Sequence, residues 1–324
     1  MASEGIVTGE RQSRQTRLVD MWIAPGLNPT NIEILGKLKT AEDRQFSKNM
    51  AVTGKIFDED REKRGKEETH LIGIRSDTWK PSRESRQRAL SAIQKRRAKE
   101  LKDQNKGAQL SPADKATLEE QLASDEVMNA GEWDIDKARL VLKMFRTTGS
   151  NIRWRGSIEE LCVAELQHSL GSKVPLLSFA VVLPDYEFVT HIHQDRRFLR
   201  IPPAYSFAYY QEGTDRMWYV ELLCHWVSLG IDFRVTAQGR TIGKIDGHLL
   251  SLGVNSRIHV YEPSLAEDTK FTDVLSLFAA TVGYQRKIRQ NIRRRVSAIL
   301  AGKPALVVDE EEMWLLKNPR RMAR

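Results

Sequence analysis

Two histidines at alternate positions come closest to a metal-binding pattern in this sequence. His191 and His193 lie in a stretch rich in branched and aromatic residues, so on a β-strand both side chains would point to one face, where Asp195 could join them. The pair has no cysteine nearby and a turn follows at once, which is more typical of a solvent-facing strand than of a zinc site. We therefore expect no metal and no cofactor, and His191 and His193 are the only metal candidates.

Motifs of the common enzyme classes are absent from the sequence. It contains no P-loop, no Gly-x-Ser-x-Gly elbow, no dinucleotide fingerprint and no zinc-ligand spacing. No pair of acidic residues stands out for general acid–base catalysis. The two cysteines, Cys162 and Cys224, cannot build a disulfide framework, so we expect buried thiols and a reducing, intracellular compartment, either cytoplasm or an organelle matrix. A protein that is not an enzyme is expected.

Clusters of basic residues carry the stronger functional signal. Lys and Arg total 51 against 43 Asp and Glu, a net charge of +8, which favours anionic partners. Two predicted helical stretches concentrate this charge and could neutralise phosphates or acidic head groups, although a solvated helix face is the alternative. Neither stretch has the interleaved aromatic residues that favour single-stranded nucleic acid. The candidate anion-binding residues are Lys95, Arg96, Arg97, Lys99, Arg286, Lys287, Arg289, Arg293, Arg294 and Arg295.

The second basic cluster belongs to a longer helix predicted over Phe271–Leu300. From Phe271 to Tyr284 nearly every position is apolar, as in a helix buried on all sides, and this run is shorter than the roughly 20 residues that a membrane span needs. Six of the ten residues from 286 to 295 are Lys or Arg, while isoleucine and valine at helical spacing keep a one-sided apolar stripe. We expect a buried helix up to Tyr284, a basic and half-exposed helix beyond it, and no transmembrane span.

Short strands at hairpin spacing precede that helix. Runs rich in branched and aromatic residues are separated by turn residues, and compact hairpin loops are predicted at 237–239 and 253–255. This pattern indicates an antiparallel barrel or sandwich. The predicted strands cover residues 176–183, 186–193, 197–201, 205–210, 216–224, 231–236, 240–248 and 257–261.

The N-terminal half is expected to lie outside this β-structure. Residues 1–80 have apolar residues only in twos and threes, and a run of charges extends from Asp58 to Glu68, so we expect an extended or disordered arm. Residues 81–150 are expected to form a basic helical region, whose best-packed helix is predicted at 134–145.

The remaining boundaries follow from capping and tail signals. Ser157, followed three residues later by Glu160, forms a capping box that predicts a short helix over 157–167. The barrel domain is expected at 151–302. Residues 303–324 should form a docking tail with a short helix, whose Trp314 needs a surface on this protein's own barrel or on a partner.

The order of these elements resembles the tubby-like superfamily, in its LURP-one-related and phospholipid-scramblase-like branch. The resemblance covers about residues 165–300 and rests on the hairpin 231–245, the paired strand 256–261 and the helix 274–284. It implies an α+β fold in which a closed antiparallel β-barrel surrounds a central hydrophobic C-terminal helix. The proline-rich segment and cysteine cluster of scramblase-like relatives are not visible here, and the phosphoinositide-binding positions of tubby proteins cannot be aligned.

These observations lead to two functional hypotheses. The first is a non-enzymatic scaffold or assembly subunit, whose extended termini and basic helices bind acidic protein or nucleic-acid surfaces within a larger protein or ribonucleoprotein assembly. The second, which the resemblance implies, is a peripheral module that binds anionic phospholipid. The sequence leaves the oligomeric state open.

Overall fold

Twelve strands close into one antiparallel β-barrel in the computed structural model. The structure describes residues 15–22, 50–58, 69–79, 112–113, 116, 138–148, 151–196, 202–225, 231–250, 253–303 and 310–316. The strands are β1 (Gln15–Trp22), β2 (Met50–Asp58), β3 (Thr69–Arg75), β4 (Val141–Thr148), β5 (Asn151–Glu160), β6 (Ser178–Val182), β7 (Thr190–Gln194), β8 (Ala204–Gln211), β9 (Arg216–Cys224), β10 (Phe233–Ala237), β11 (Arg240–Leu250) and β12 (Gly253–Val260).

Closure of the barrel comes from the first and last strands. Every strand pairs with the next one along the chain, and β12 returns to β1, with Gln15 opposite Val260 and Trp22 opposite Gly253. A closed barrel has no free edge strand, and the shortest junction is that of β7 with β8, which pair only at His193–Ser206 and Gln194–Tyr205. The predicted fold class, a closed antiparallel barrel with a C-terminal helix in an α+β protein, is confirmed.

Six helices with defined bounds accompany the barrel in the part of the chain that the structure describes, and Pro112, Ala113 and Ala116 are also helical. The six helices are α1 (Ser76–Trp79), α2 (Cys162–Ser169), α3 (Pro263–Glu267), α4 (Thr269–Thr281), α5 (Gln285–Leu300) and α6 (Glu310–Leu316). A 3-10 turn at Val282–Tyr284 joins α4 to α5, so the two form one helical path. The predicted change of character after Tyr284 is confirmed, because α4 is buried from Phe271 onward and α5 is buried along one side only.

Helix α4 fills the interior of the barrel. About eight strands give an interior that side chains alone can fill, and twelve leave room for more. Phe278 occupies part of this space and packs edge-to-face against Tyr205 and Phe233, with ring centroids 5.0 and 5.4 Å away. Phe271 packs in the same way against Tyr209 at 5.2 Å. A helix that is apolar on all sides is stable here because strands surround it on all sides.

Polar contacts fix the position of α4 inside the barrel. The carboxylate of Asp268 caps the helix by accepting from the backbone N–H groups of Lys270 and Phe271, and it also accepts from the Tyr209 hydroxyl at 2.7 Å. One turn into the helix, the fully buried Asp273 pairs with Arg17 of β1 at 2.5 Å and with Arg155 of β5 at 2.9 Å. The helix is therefore held in register with two strands by buried charge.

The prediction of an extended or disordered arm at 1–80 is wrong for the residues that the structure describes there. β1, β2 and β3 lie within 1–80 and are continuous members of the barrel. Asp58, expected at the start of a solvated charged run, is buried in β2 opposite Arg17 of β1. Short apolar runs are enough to form these strands because they pair with strands that are distant in the sequence. Periodicity within a segment gives no information about such distant partners.

Two helix predictions at the start of the barrel domain are also wrong. The helix expected at 134–145 is replaced from Val141 onward by β4, and the barrel therefore begins well before residue 151. A continuous apolar run is compatible with either a buried strand or a buried helix, and here both faces of β4 are covered. The helix expected at 157–167 starts only at Cys162, because Ser157 and Glu160 belong to β5 instead of a capping box.

Most other strand predictions agree with the structure to within a few residues. The turn at 237–239 is confirmed, with Gln238 and Gly239 both in the left-handed conformation (φ 51° and 76°) of a two-residue hairpin. The loop predicted at 253–255 belongs instead to β12, which pairs with β1 from Gly253 onward. The strand predicted at 197–201 lies outside the described residues. So does nearly all of the basic helical region, including Lys95, Arg96, Arg97 and Lys99.

We expect replacement of Asp273 by Asn to destabilise the protein by about 3 kcal/mol, since breaking a buried ion pair leaves uncompensated charge. Arg17 retains Asp58 at 3.9 Å, which places the cost at the lower end of the usual range. Urea unfolding measures the effect, with Asp246→Asn on the outer face of β11 as the matched control. A loss of less than about 1 kcal/mol for D273N would show that the pair contributes little net stability.

Candidate anion-binding surface on the helix that follows the barrel core

Helix α5 has one buried side and one exposed side. Ile288 and Ile292 are fully buried and belong to the barrel core, and Val296 packs against the same core. On this side the helix packs against α2. The sequence from Gln285 to Leu300 contains no acidic residue, so every charge on α5 is positive.

Four basic residues form the outward face of α5, which we call the basic face. Arg286, Arg293 and Arg294 are exposed, and Lys287 is half-buried. Within the part of the chain that the structure describes, Arg286, Lys287 and Arg293 have no ion pair. Arg286 and Arg293 are seven residues apart, as are Lys287 and Arg294, so each pair is separated by about two helical turns, roughly 10 Å. The face therefore presents a double row of cations.

Arg289 was predicted to bind an anion, but the structure assigns its guanidinium to the barrel. It donates to the backbone oxygen of Pro175 at 3.1 Å, to Oε1 of Gln194 at 2.6 Å and to the Tyr205 hydroxyl at 3.1 Å. Burial raises the pKa of Tyr205 to about 12, even though Arg289 acts in the opposite direction, so this hydroxyl keeps its proton and donates it to Gln285 at 2.8 Å. Arg289 positions α5 at the end of the barrel.

The prediction for Arg295 is wrong, because this side chain is fully buried. Its Nη1 lies 3.0 Å from Oε1 of Glu160 and 3.6 Å from Oε2 of Glu165, and its Nη2 donates to the backbone oxygen of Ala138 at 2.5 Å. The helical spacing in the sequence places Arg295 on the same side as Ile288 and Ile292. That spacing was the signal that could have separated Arg295 from Arg293 and Arg294.

Glu160, Cys162 and Glu165 bring their ligand atoms within 4.8 Å of one another, which is a possible metal geometry. The guanidinium of Arg295 lies among them and supplies the positive charge that a cation would otherwise bring. Burial, followed by the neighbouring Glu160 carboxylate, raises the pKa of the Cys162 thiol, so it stays protonated and is a poor ligand. This cluster is a buried ion pair that fastens α5 to β5 and α2.

A third histidine, His168 at the end of α2, lies beside the two candidate histidines His191 and His193. The ring of His193 lies 5.2 Å from that of His168 and 6.0 Å from that of His191. Burial lowers the pKa of His191 and of His193, so both are neutral near pH 7. The Nδ1 atoms of His168 and His193 both face the Ser178 hydroxyl, at 3.4 and 3.1 Å, rather than a common empty point. His168 was missed because α2 brings it there from outside the strand pattern.

The C-terminal helix α6 docks on this protein's own barrel. The carboxylate of Glu312, itself buried, accepts from the backbone N–H of Val163 at 2.9 Å and so caps the first turn of α2. Leu315 packs against the small cluster of Leu161, Ala164 and Ala180. Of the two surfaces expected for the tail, its own barrel therefore provides one. Its other apolar residues remain exposed on the outer side: Met313, Trp314 and Leu316.

No helix within the described residues is both long enough and apolar enough to cross a membrane. When the chain was compared with models of protein families, with curated proteins and with solved structures, nothing matched in any of the three. The function of this surface must therefore be inferred from its geometry and charge alone.

The arginines of α5 are expected to separate into two classes on replacement. Arg295→Met leaves the Glu160 carboxylate buried without its partner, and we expect a loss of about 3–5 kcal/mol in the free energy of unfolding. Arg293→Met changes only the exposed face, with an expected effect within about 0.5 kcal/mol. Denaturant unfolding of the two variants compares them directly, and equal losses would contradict the burial of Arg295.

The buried carboxyl group of Glu165 should make the free energy of unfolding depend on pH. Burial raises its pKa, and the adjacent Glu160 raises it further, so the folded state favours the neutral form. Since the folded pKa lies above the unfolded one, this contribution is complete below the ordinary pKa of a glutamate and is lost as the pH rises through the raised value.

Glu165→Gln removes this dependence while keeping an acceptor for the Ser178 N–H. We expect the variant to gain stability relative to wild type as the pH rises from below the ordinary pKa of a glutamate through the raised pKa of Glu165. Melting temperatures of both proteins across this range provide the measurement, and a constant difference would refute the assignment.

Proposed function

We propose that this chain is a non-enzymatic scaffold or assembly subunit, whose basic face on α5 binds an anionic surface of an acidic protein or a nucleic acid in a larger assembly. The observation that carries the proposal is the double row of cations at Arg286, Lys287, Arg293 and Arg294 on a helix with no acidic residue. Cations in this arrangement can each neutralise a phosphate or carboxylate, and their combined contribution depends steeply on salt.

The anchoring of α5 supports this proposal. One side of the helix is fixed by Ile288, Ile292 and the buried Arg295, so the outward cations are held in place before any partner binds. A pre-organised face loses less conformational entropy on binding than a flexible basic tail does. Arg289 adds to this rigidity by tying the start of α5 to β7 and β8.

The tubby-like resemblance is consistent with a binding role. A closed barrel around a hydrophobic helix is the architecture that the resemblance implies, and the chain has this architecture. A shared fold does not assign an activity, so the argument for binding rests on the charges of α5.

A peripheral module that binds anionic phospholipid is the second candidate. The observation in its favour is the position of α6, which leaves Trp314 56% exposed and docks on α2, the same helix that α5 packs against. Basic residues that attract anionic head groups, together with Trp, Met and Leu side chains that enter the interface, are the combination found in interfacial helices.

The test is a charge reversal on the basic face with a matched control. Arg286→Glu with Arg293→Glu lowers the net charge from +8 by four units, since each replacement changes it by two. Arg234→Glu with Arg240→Glu makes the same change at exposed positions of the β10–β11 hairpin. We expect R286E/R293E to weaken binding of the native partner about tenfold or more at low salt, and R234E/R240E to leave it nearly unchanged.

Native pull-down from cell extract, with and without nuclease, identifies the partner class, and pelleting with anionic vesicles tests the lipid candidate. Loss of the partner after nuclease treatment indicates nucleic acid. Pelleting that is abolished by R286E/R293E favours phospholipid instead. Equal binding by both double variants in every assay would reject the basic face as the binding surface.

A further inference from the structure

A second charged surface lies where α4 enters the barrel, and its sign is opposite to that of the basic face. It is formed by the β6–β7 connection and the β8–β9 turn, and we call it the acidic aromatic patch. Its outward residues are Glu187, Phe188, Tyr210, Asp215 and Met217. The helical path from Thr269 to Tyr284 separates the two surfaces by about 25 Å, so they occupy different ends of the barrel.

The aromatic part of the patch is exposed yet well fixed. Phe188, which is 48% exposed, packs edge-to-face against Tyr210 with ring centroids 5.1 Å apart. Tyr186 holds the two chain segments together, because its hydroxyl donates to the backbone oxygen of Tyr210 at 2.9 Å and accepts from the Tyr210 N–H at 3.1 Å. On the adjacent strand Met217, directly opposite Tyr210, is 56% exposed. The rings are therefore presented to solvent in a defined geometry.

The charge around these rings is negative in a chain whose net charge is positive. Four exposed carboxylates border the rings, and two basic residues lie near them. Both basic residues already have partners. Lys270 pairs with Glu212 at 2.5 Å. The guanidinium carbon of Arg216 lies 3.8 Å from the ring centroid of Trp218, and its Nη2 donates to Oε1 of Gln238. The four carboxylates are those of Asp185, Glu187, Glu212 and Asp215.

The same carboxylates raise the pKa values of two tyrosines in this region. A hydrogen bond to Asp215 at 2.5 Å is the main cause that raises the pKa of Tyr210, and Glu212 and Glu187 raise it further. Burial raises the pKa of Tyr186, and the nearby carboxylates of Glu212 and Asp268 add to this shift. A cation placed here would meet a favourable potential as well as aromatic faces.

The surroundings of Lys270 show how this region binds a cation. Its ammonium lies 5.6 Å from the ring centroid of Tyr186, pairs with Glu212 and donates to the backbone oxygen of Asp185. An aromatic face, a carboxylate and a carbonyl thus already surround one cation of this chain. On the solvent side, Phe188 and Tyr210 supply aromatic faces again and Glu187 and Asp215 supply carboxylates, and the described residues place no ammonium or guanidinium against them.

We propose that the acidic aromatic patch binds a basic peptide segment of a partner protein, with an Arg or Lys side chain stacked on Phe188 and Tyr210 and paired with Glu187 and Asp215. Charge complementarity selects this occupant, because an acidic or purely apolar segment would desolvate the carboxylates without compensation. The inference is independent of the function proposed for α5, since it concerns other residues at the other end of the barrel.

The test uses the full chain and a fluorescein-labelled peptide of alternating Arg and Gly, whose anisotropy is measured at low salt. Phe188→Ser removes one ring, and Glu187→Gln with Asp215→Asn removes both outer carboxylates while keeping an acceptor for the Tyr210 hydroxyl. We expect each variant to weaken binding about tenfold. The control, Asp20→Asn with Asp246→Asn, removes the same charge from the outer walls of β1 and β11 and should change binding less than about twofold.

Circular dichroism of each variant verifies the fold, so that a loss of binding can be attributed to the patch. No detectable binding of the Arg-Gly peptide to wild type, or equal binding by the patch and control variants, would overturn the proposal. Self-association of the chain that disappears in F188S, without binding of the free peptide, would also overturn it in favour of a contact between two copies. Selective loss in the patch variants supports it.

Discussion

The buried carboxylate of Asp273 joins the two features on which this fold depends, the closure of the barrel and the helix inside it. Arg17, its partner 256 residues earlier in the chain, lies on the strand that closes the barrel against β12. Either charge is costly to bury without the other, so β1 and α4 must be in place together. A helix displaced along the axis would leave the buried carboxylate of Asp273 without Arg17 and Arg155, so this carboxylate favours one register of the helix in the barrel.

A second buried ion pair acts further along the same helical path. Arg295 with Glu160 and Glu165 fixes α5 where it leaves the barrel, as Asp273 fixes α4 near its start. Between these two points the apolar contacts of α4 are joined by the hydrogen bonds of Gln285 and Arg289 to β7 and β8. This arrangement explains why the outward cations of α5 are held rigidly. It also fixes the distance between the basic face and the acidic aromatic patch.

The distribution of surface charge follows the direction of the buried helix. Carboxylates collect near the N-terminal end of α4, where the helix dipole is positive, and cations lie on α5, toward the C-terminal end of the path. The molecule therefore presents two ends of opposite character on one rigid core. Such polarity suits a protein that bridges an anionic and a cationic neighbour within an assembly, because each end can be occupied without disturbing the other.

Sequence patterns alone predicted the parts of this protein whose structure depends on nearby residues. The apolar run from Phe271, its end at Tyr284 and the strand Arg216–Cys224 follow from periodicity and turn chemistry, which are local properties. The outward position of Arg286 and Arg293 follows in the same way from the helical spacing of the isoleucines between them.

Only the tertiary structure decided which elements close the barrel and which charges are buried. β1 pairs with β12 and β3 pairs with β4 across long separations in the chain, and Arg295 is buried because it pairs with Glu160 and Glu165 of other elements. The acidic aromatic patch likewise exists only once Phe188 and Tyr210 meet across two connections of the barrel. The physical reason is the same in each case: pairing energy between residues far apart in sequence leaves no periodic trace in either segment.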